Sequence, residues 1–324
     1  MPNSSHVVSP PSASQPAPQV LRSLLFAPAN HARHAQSALN GAADGVILDL
    51  EDAVAVGEKP TARLAARELL ASRAADDAGN GAAHTSQRYP IRYVRINGLT
   101  TPYAYADLLA VVGPGLDGVV LPKAESAAQI ATLDWLLTQL ERERGLAPGA
   151  TEIAPIIETA AGLAALPAIA AASPRVRRLN FGAGDFSLDT RMTWTPNHPG
   201  LLWARASIVI ASRAAGLAAP IDTVFADLGN DDGLLAETTL ARELGFAGKA
   251  CIHPRQVTIV HSVFTPTADE IADAHAIVSA FAEAEAQGIA SMRVGDRFVD
   301  YPVAARARQT LDLAAHVQHR GEPT

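Results

Sequence analysis

Glu158 and Asp185 are the residues whose types and positions point most directly to chemistry. Each carboxylate closes an apolar stretch, IAPIIET (153–159) or RRLNFGAGD (177–185), and the two stretches are consecutive along the chain. Two carboxylates brought into one cleft repel unless a proton or a cation neutralises them. A hard divalent ion such as Mg2+ is the economical answer, because it takes one oxygen from each acid, keeps several waters and leaves positions for an oxygen-rich substrate. The competing reading is that each acid only caps the helix that follows it.

Other polar residues end apolar runs in the same way. Asp49, Glu51 and Asp52 close GVILDLED (45–52), Arg95 and Asn97 lie in IRYVRIN (91–97), Lys123 closes DGVVLPK (117–123) and His253 lies in KACIHP (249–254). A guanidinium grips a carboxylate through two parallel hydrogen bonds, so Arg95 is the natural anchor for an acidic substrate; a structural ion pair with Asp49 or Glu51 is its alternative role. Strand alternation puts Asp49 and Glu51 on one face and Asp52 on the other, and a break in the strand brings all three to one rim, where they support Arg95 or metal-bound water. Lys123 and Lys249 are two of only three lysines in the chain. Either offers a Schiff base if desolvated, but neighbouring acids favour an ion pair. His253 reads as a base, a ligand or a packing residue, and Cys251 as buried and inert. The FGAGD glycines open room for backbone amides to approach a substrate carboxylate.

These residues need elements that bring strand ends together. Eight β-branched runs, at 21–28, 45–52, 91–97, 117–123, 153–159, 177–185, 221–227 and 249–254, alternate with helical patterns near 31–42, 60–74, 102–112, 125–145, 160–172, 199–216, 232–245 and 267–288. Eight βα units over about 250 residues have the size and rhythm of an α/β (β/α)8 TIM barrel, whose chemistry sits at the C-terminal ends of the strands. Residues 1–20 are Ser/Pro-rich and read as a disordered tail, 72–88 as a flexible polar excursion, and 289–324 as a C-terminal extension of a hairpin or turn and a helix that caps a site or meets another subunit.

Composition narrows the function classes. The net charge of −7 and a charged fraction of 18% argue against a phosphate-neutralising nucleic-acid binder. One cysteine makes no internal disulfide, no apolar run reaches the roughly 18 residues of a membrane helix, and the N-terminus lacks a signal-peptide core. A cytoplasmic protein binding neither nucleic acid nor membrane is expected.

In order, RSLLFAPAN, GVILDLEDAV, YVRIN, GVVLPKAES, IIETAAGL, FGAGDFSLD and GKACIHPRQV resemble the citrate lyase beta-subunit-like branch of the HpcH/HpaI aldolases, from about residue 21 to 288. The resemblance implies an Mg2+-dependent barrel that breaks or forms a carbon–carbon bond next to a CoA thioester, with a 2-oxoacid as the other partner, assembled as a homotrimer or hexamer. It also implies that Glu158 and Asp185 bind the metal, Arg95 the substrate carboxylate, and the Ala183 and Gly184 amides the 2-oxoacid. Phe26 matches an apolar contact of the first loop. RFVDYPVAARA resembles the tail of free-standing malyl-CoA or citramalyl-CoA lyases, in which the residue matched by Asp300 reaches a neighbouring subunit's site and serves here as candidate acid. Where the family carries glycine, arginine and lysine toward the CoA phosphates, this chain has Ala29, His31 and Ser37. Malate-synthase-like or thioesterase chemistry on the same intermediates, and a non-catalytic 2-oxoacid or CoA binder, are the alternatives.

Overall fold

In a computed structural model, which describes residues 20–79, 90–193 and 199–319, eight parallel strands close into a barrel in chain order. They are β1 (Ser23–Pro28), β2 (Gly45–Asp49), β3 (Ile91–Arg95), β4 (Gly118–Leu121), β5 (Glu152–Ile157), β6 (Asn180–Phe181), β7 (Ile221–Asp222) and β8 (Gly248–Cys251). β8 returns to β1 in the register Ser23 to Lys249 and Leu24 to Ala250. The expected tail over 1–20 falls outside the described residues apart from its last position, as does the 80–88 part of the polar excursion.

The two-residue period of the strands sorts the side chains. Leu24, Ile47, Tyr93, Val120, Ala154, Ile156 and Ala250 fill the barrel interior, while Leu25, Val46, Leu48, Val94, Val119 and Ile153 face the helices in a larger apolar layer. Continuing the inward series by two residues turns Ile47 into Asp49, Tyr93 into Arg95 and Ile156 into Glu158. The alternation that packs the interior therefore delivers polar groups to its C-terminal mouth.

The surrounding helices are α1 (Ala32–Leu39), α2 (Lys59–Gly79), α3 (Ala104–Val111), α4 (Ala127–Glu143), α5 (Ala160–Ala164), α6 (Leu166–Ala170), α7 (Ala183–Asp189), α8 (Pro199–Ala214), α9 (Asp231–Leu244) and α10 (Pro254–Phe264). Side-chain caps begin several of them: Ser126 with Gln129 makes a reciprocal capping box on α4, and Thr159 accepts from the Gly162 amide on α5. Beyond them, α11 (Ala268–Ala286), the hairpin β9 (Ser291–Val294) and β10 (Arg297–Asp300), and α12 (Tyr301–His319) share a separate small core of Ala274, Ile277, Phe281, Val299 and Ala304.

Three differences from the sequence expectation have physical reasons. α2 continues to Gly79, through residues read as the start of a loop, because the Arg73 guanidinium ties this part of the helix to the Leu39 carbonyl and the Asn40 side chain, at 2.6 Å each. The sixth strand stops at Phe181 and α7 starts inside FGAGD, with Gly182 as its N-cap. The helix directly after β8 is α10, begun by Pro254 and capped by His253, whereas the helix expected at 267–288 packs against the extension.

Candidate active site

The mouth of the barrel holds a pocket lined by Phe26, Asp52, Arg95, Glu158, Gly184 and Asp185, with Asn180, Asp222 and Thr223 among its further polar walls. Arg95 enters from the end of β3. Its Nε and Nη2 donate to the two Asp49 oxygens at 2.7 and 2.6 Å, its Nη1 lies 3.1 Å from Glu51 Oε2, and its plane stands 4.9 Å from the Phe26 ring. The structural ion pair considered for Arg95 is thus present, in a residue that also lines the pocket. Burial works against its charge, but Asp49 outweighs burial and holds the guanidinium protonated.

Past Asp49 the chain leaves the strand, and the Asp49 carboxylate accepts from the amides of Glu51 and Ala53. That turn is the break which brings the three acids to one side. Buried Glu51 faces both Arg95 and Lys123, and burial raises its carboxyl above the usual range against the pull of Arg95. Asp52 stays largely exposed, 3.9 Å from Arg95 and 4.0 Å from Lys123.

Glu158 does not cap α5; Thr159 does. Its Oε1 accepts the Lys123 amide at 2.7 Å, and Gly182 packs so closely that a Cβ there would stand 2.4 Å from Glu158 Oε2. Burial pushes the Glu158 carboxyl up to about 8, with Lys123 opposing. Asp185, in the first turn of α7, meets the Lys123 ammonium at 2.9 Å, and the same ammonium lies 4.0 Å from Glu158. Two carboxylates on consecutive strand ends therefore converge on one positive charge. An all-oxygen donor pair, one member costly to ionise without a cation, fits a hard divalent ion that keeps waters. Among the described residues no group of three or more His, Cys, Asp or Glu forms a closed metal cage.

The remaining residues separate clearly. The Gly184 backbone lies open at the pocket, whereas the Ala183 amide, expected to face substrate, donates to Thr223 Oγ1 at 2.9 Å and is buried. Thr223 and Asp222 are site residues that the sequence reading passed over, although they too are polar residues at a strand end. Lys249 is fully buried against Asp222 and Glu237 at 2.8 and 2.6 Å, and Lys123 is held charged by its bonds to Glu51 and Asp185, which outweigh burial; both are engaged in ion pairs. His253 Nδ1 accepts the Arg255 amide as a helix cap. Cys251 is buried, and its thiol is pushed up to about 12 by that burial. Asp300 is not at this pocket: it ends β10 and accepts from the Val303 amide at 3.2 Å at the start of α12.

A closed parallel barrel with acids and an arginine gathered at its C-terminal mouth defines a TIM-barrel enzyme. The chain belongs to the HpcH/HpaI aldolase/citrate lyase family, whose model matches residues 22–254; the C–C bond lyase family of the TIM-barrel fold matches 207–316. It is 38% identical to the citrate lyase subunit beta of Leuconostoc mesenteroides subsp. cremoris over 90% of this chain and 93% of that one. It is 35% identical to the L-malyl-CoA/beta-methylmalyl-CoA lyase of Rhodobacter capsulatus, over 88% and 92%. Among solved structures, CitE of Mycobacterium tuberculosis in complex with magnesium, acetoacetate and coenzyme A matches with a TM-score of 0.71 at 29% identity, over 91% of this chain and 98% of that one.

Proposed function

We propose that this protein is an Mg2+-dependent carbon–carbon lyase that cleaves a 3-hydroxy-3-carboxy acyl-CoA of the malyl-, citramalyl- or citryl-CoA kind. The products are a 2-oxoacid and acetyl-CoA or a homologue. The observation that carries this reading is the convergence of Glu158 and Asp185 beside Arg95 at one pocket. The similarity to citrate lyase beta subunits and to a malyl-CoA lyase supports the substrate class.

Glu158 and Asp185 hold the metal, which supplies a Lewis acid that polarises the substrate oxygens when bound. Arg95 donates two of its five N–H groups to Asp49, which leaves three, beside Glu51, for the substrate carboxylate. The Gly184 amide, in the first turn of α7, adds a donor to the same anion. Asp52, the exposed rim acid, takes the substrate's hydroxyl proton. The hydroxyl carbon becomes the carbonyl of the 2-oxoacid, the electron pair of the breaking carbon–carbon bond passes to the thioester as an enolate, and the enolate carbon is protonated by Asp300 of a neighbouring copy.

Asp300 acts in trans because its own chain keeps it away from the pocket. A homotrimer or hexamer, as the family resemblance implies, would supply that neighbouring copy, and exposed Trp203, Ile210, Leu188, Phe298 and Tyr301 offer apolar surface for it. No helix among the described residues is long and apolar enough to cross a membrane.

A screen of malyl-, citramalyl- and citryl-CoA cleavage with Mg2+, repeated with chelator and with Glu158→Gln, tests the reading. One thioester should be cleaved only with metal and only by the wild type. Undiminished cleavage in chelator overturns it.

A further inference from the structure

Lys123 has a left-handed backbone, φ +48°, one of two non-glycine residues so placed among the described residues. The conformation is unfavourable for a residue with a Cβ and persists only where the surroundings hold it. Here they hold both ends of the residue. The Lys123 amide donates to Glu158 Oε1 at 2.7 Å, and the ammonium lies 2.9 Å from both Glu51 Oε1 and Asp185 Oδ2. It also lies 4.0 Å from carboxylate oxygens of Asp52 and Glu158. One residue therefore binds Glu158 through its backbone and Asp185 through its side chain.

We propose that Lys123 is the resident counter-cation of the acid mouth: its ammonium holds Asp185 against Glu158 in the metal-free enzyme and withdraws onto Glu51 when a divalent cation binds. This rests on the reading that Glu158 and Asp185 are the metal ligands. Among the described residues the cations facing the five carboxylates Asp49, Glu51, Asp52, Glu158 and Asp185 are Arg95 and Lys123, so the two ligands depend on the ammonium for neutralisation between binding events. A divalent ion on Asp185 and an ammonium 2.9 Å from the same carboxylate repel one another, so each weakens the other's hold on that acid. The lysine can move. Its side chain is 42% exposed, it is a point charge on a flexible stem, and buried Glu51 already holds it from the other side. Arg95 cannot exchange in this way, because two parallel bonds to Asp49 fix its plane. Metal affinity is then set by competition with an internal cation, which keeps the two ligands in position between binding events.

The test is calorimetric titration of the full chain with MgCl2, comparing wild type, Lys123→Met, Lys123→Gln and Glu158→Gln. Removing the competing ammonium should tighten Mg2+ binding by up to about fivefold, the size of effect expected for one partly exposed ion pair. The Lys123 variants should also unfold at lower temperature in chelator and gain more in melting temperature on adding Mg2+. Lys123→Gln serves if Lys123→Met lacks a cooperative thermal transition. Binding in the folded Lys123 variants that equals the wild type or is weaker overturns the proposal. Glu158→Gln separates the two failures: if it binds Mg2+ as the wild type does, the metal reading falls; if it loses binding while the Lys123 variants match the wild type, only the counter-cation role falls.

Discussion

Replacing Gly182 by alanine tests whether backbone packing sets the metal-ligand geometry. An alanine Cβ there would stand 2.4 Å from Glu158 Oε2, 2.7 Å from Glu158 Cβ and 2.9 Å from Ile156 Cγ2. The first contact is relieved by rotating the carboxylate. The other two are not, because Ile156 lies at the end of β5 and the Glu158 Cβ is fixed to the backbone directly after it. Gly182 has φ −116° and ψ 83°, outside the left-handed region, so the penalty comes from contact and not from a backbone only glycine adopts. Overpacking of this kind costs about 1–3 kcal/mol, and displacement of a metal-ligand support costs about 10- to 100-fold in metal affinity or activity. Thermal unfolding and Mg2+ titration of Gly182→Ala should show a folded protein of reduced stability with metal affinity lowered by that factor. Gly184→Ala is the control, since nothing lies within 4 Å of a Cβ at Gly184; it should keep stability and metal affinity, and lose substrate affinity instead. Wild-type Mg2+ affinity in Gly182→Ala would refute the argument that Gly182 positions Glu158.

Asp222, buried with Arg205 and Lys249, is a stability element: burial alone would raise its carboxyl, but Lys249 and Arg205 outweigh burial and hold it below the usual range. Its contribution is therefore complete above the ordinary carboxyl value of about 3.9 and is lost as pH falls through the lower folded value. Urea midpoints measured against pH should drop in acid for the wild type, while Asp222→Asn should be less stable at pH 7 by about 3–5 kcal/mol and show a flatter acid limb. Cys251 should resist a thiol reagent in the native protein and react once denatured, as its burial and high thiol value require; rapid native labelling would contradict the structure. Asp300→Ala and Glu158→Gln, each inactive alone, should regain activity when mixed under conditions of subunit exchange, and no recovery would argue against Asp300 acting in trans.

Much of the barrel is legible in sequence because its strands are short, β-branched and buried on both faces. The strands ending at Asp49, Arg95 and Glu158 can be read from apolar runs that stop at a charge, and the inward alternation then brings those charges to one mouth. FGAGD misleads because two glycines and a polar end suit a strand and a helix start equally well; the pairing of Asn180 and Phe181 with β5, and of Asn180 with β7, decides that the strand stops there. α10 is hidden for a local reason, since a proline directly after a strand reads as a break until His253 and Gln256 are seen to make its cap. Thr223 carries no signal beyond its place at a strand end. Its role as acceptor for the Ala183 amide depends on β7 lying beside β6.

What sequence alone determined is the chemistry available: two acids, an arginine and a lysine at successive strand ends, on a repeating βα pattern that can close a barrel. Tertiary structure decided how these groups are shared. Arg95 is bound to Asp49 before any substrate arrives, the Ala183 amide is taken by Thr223, and Lys123 binds both carboxylates at once. Asp300 is left outside its own pocket. These outcomes turn on distances of a few ångströms between residues on different strands, and strand order and register, which no local pattern encodes, set those distances.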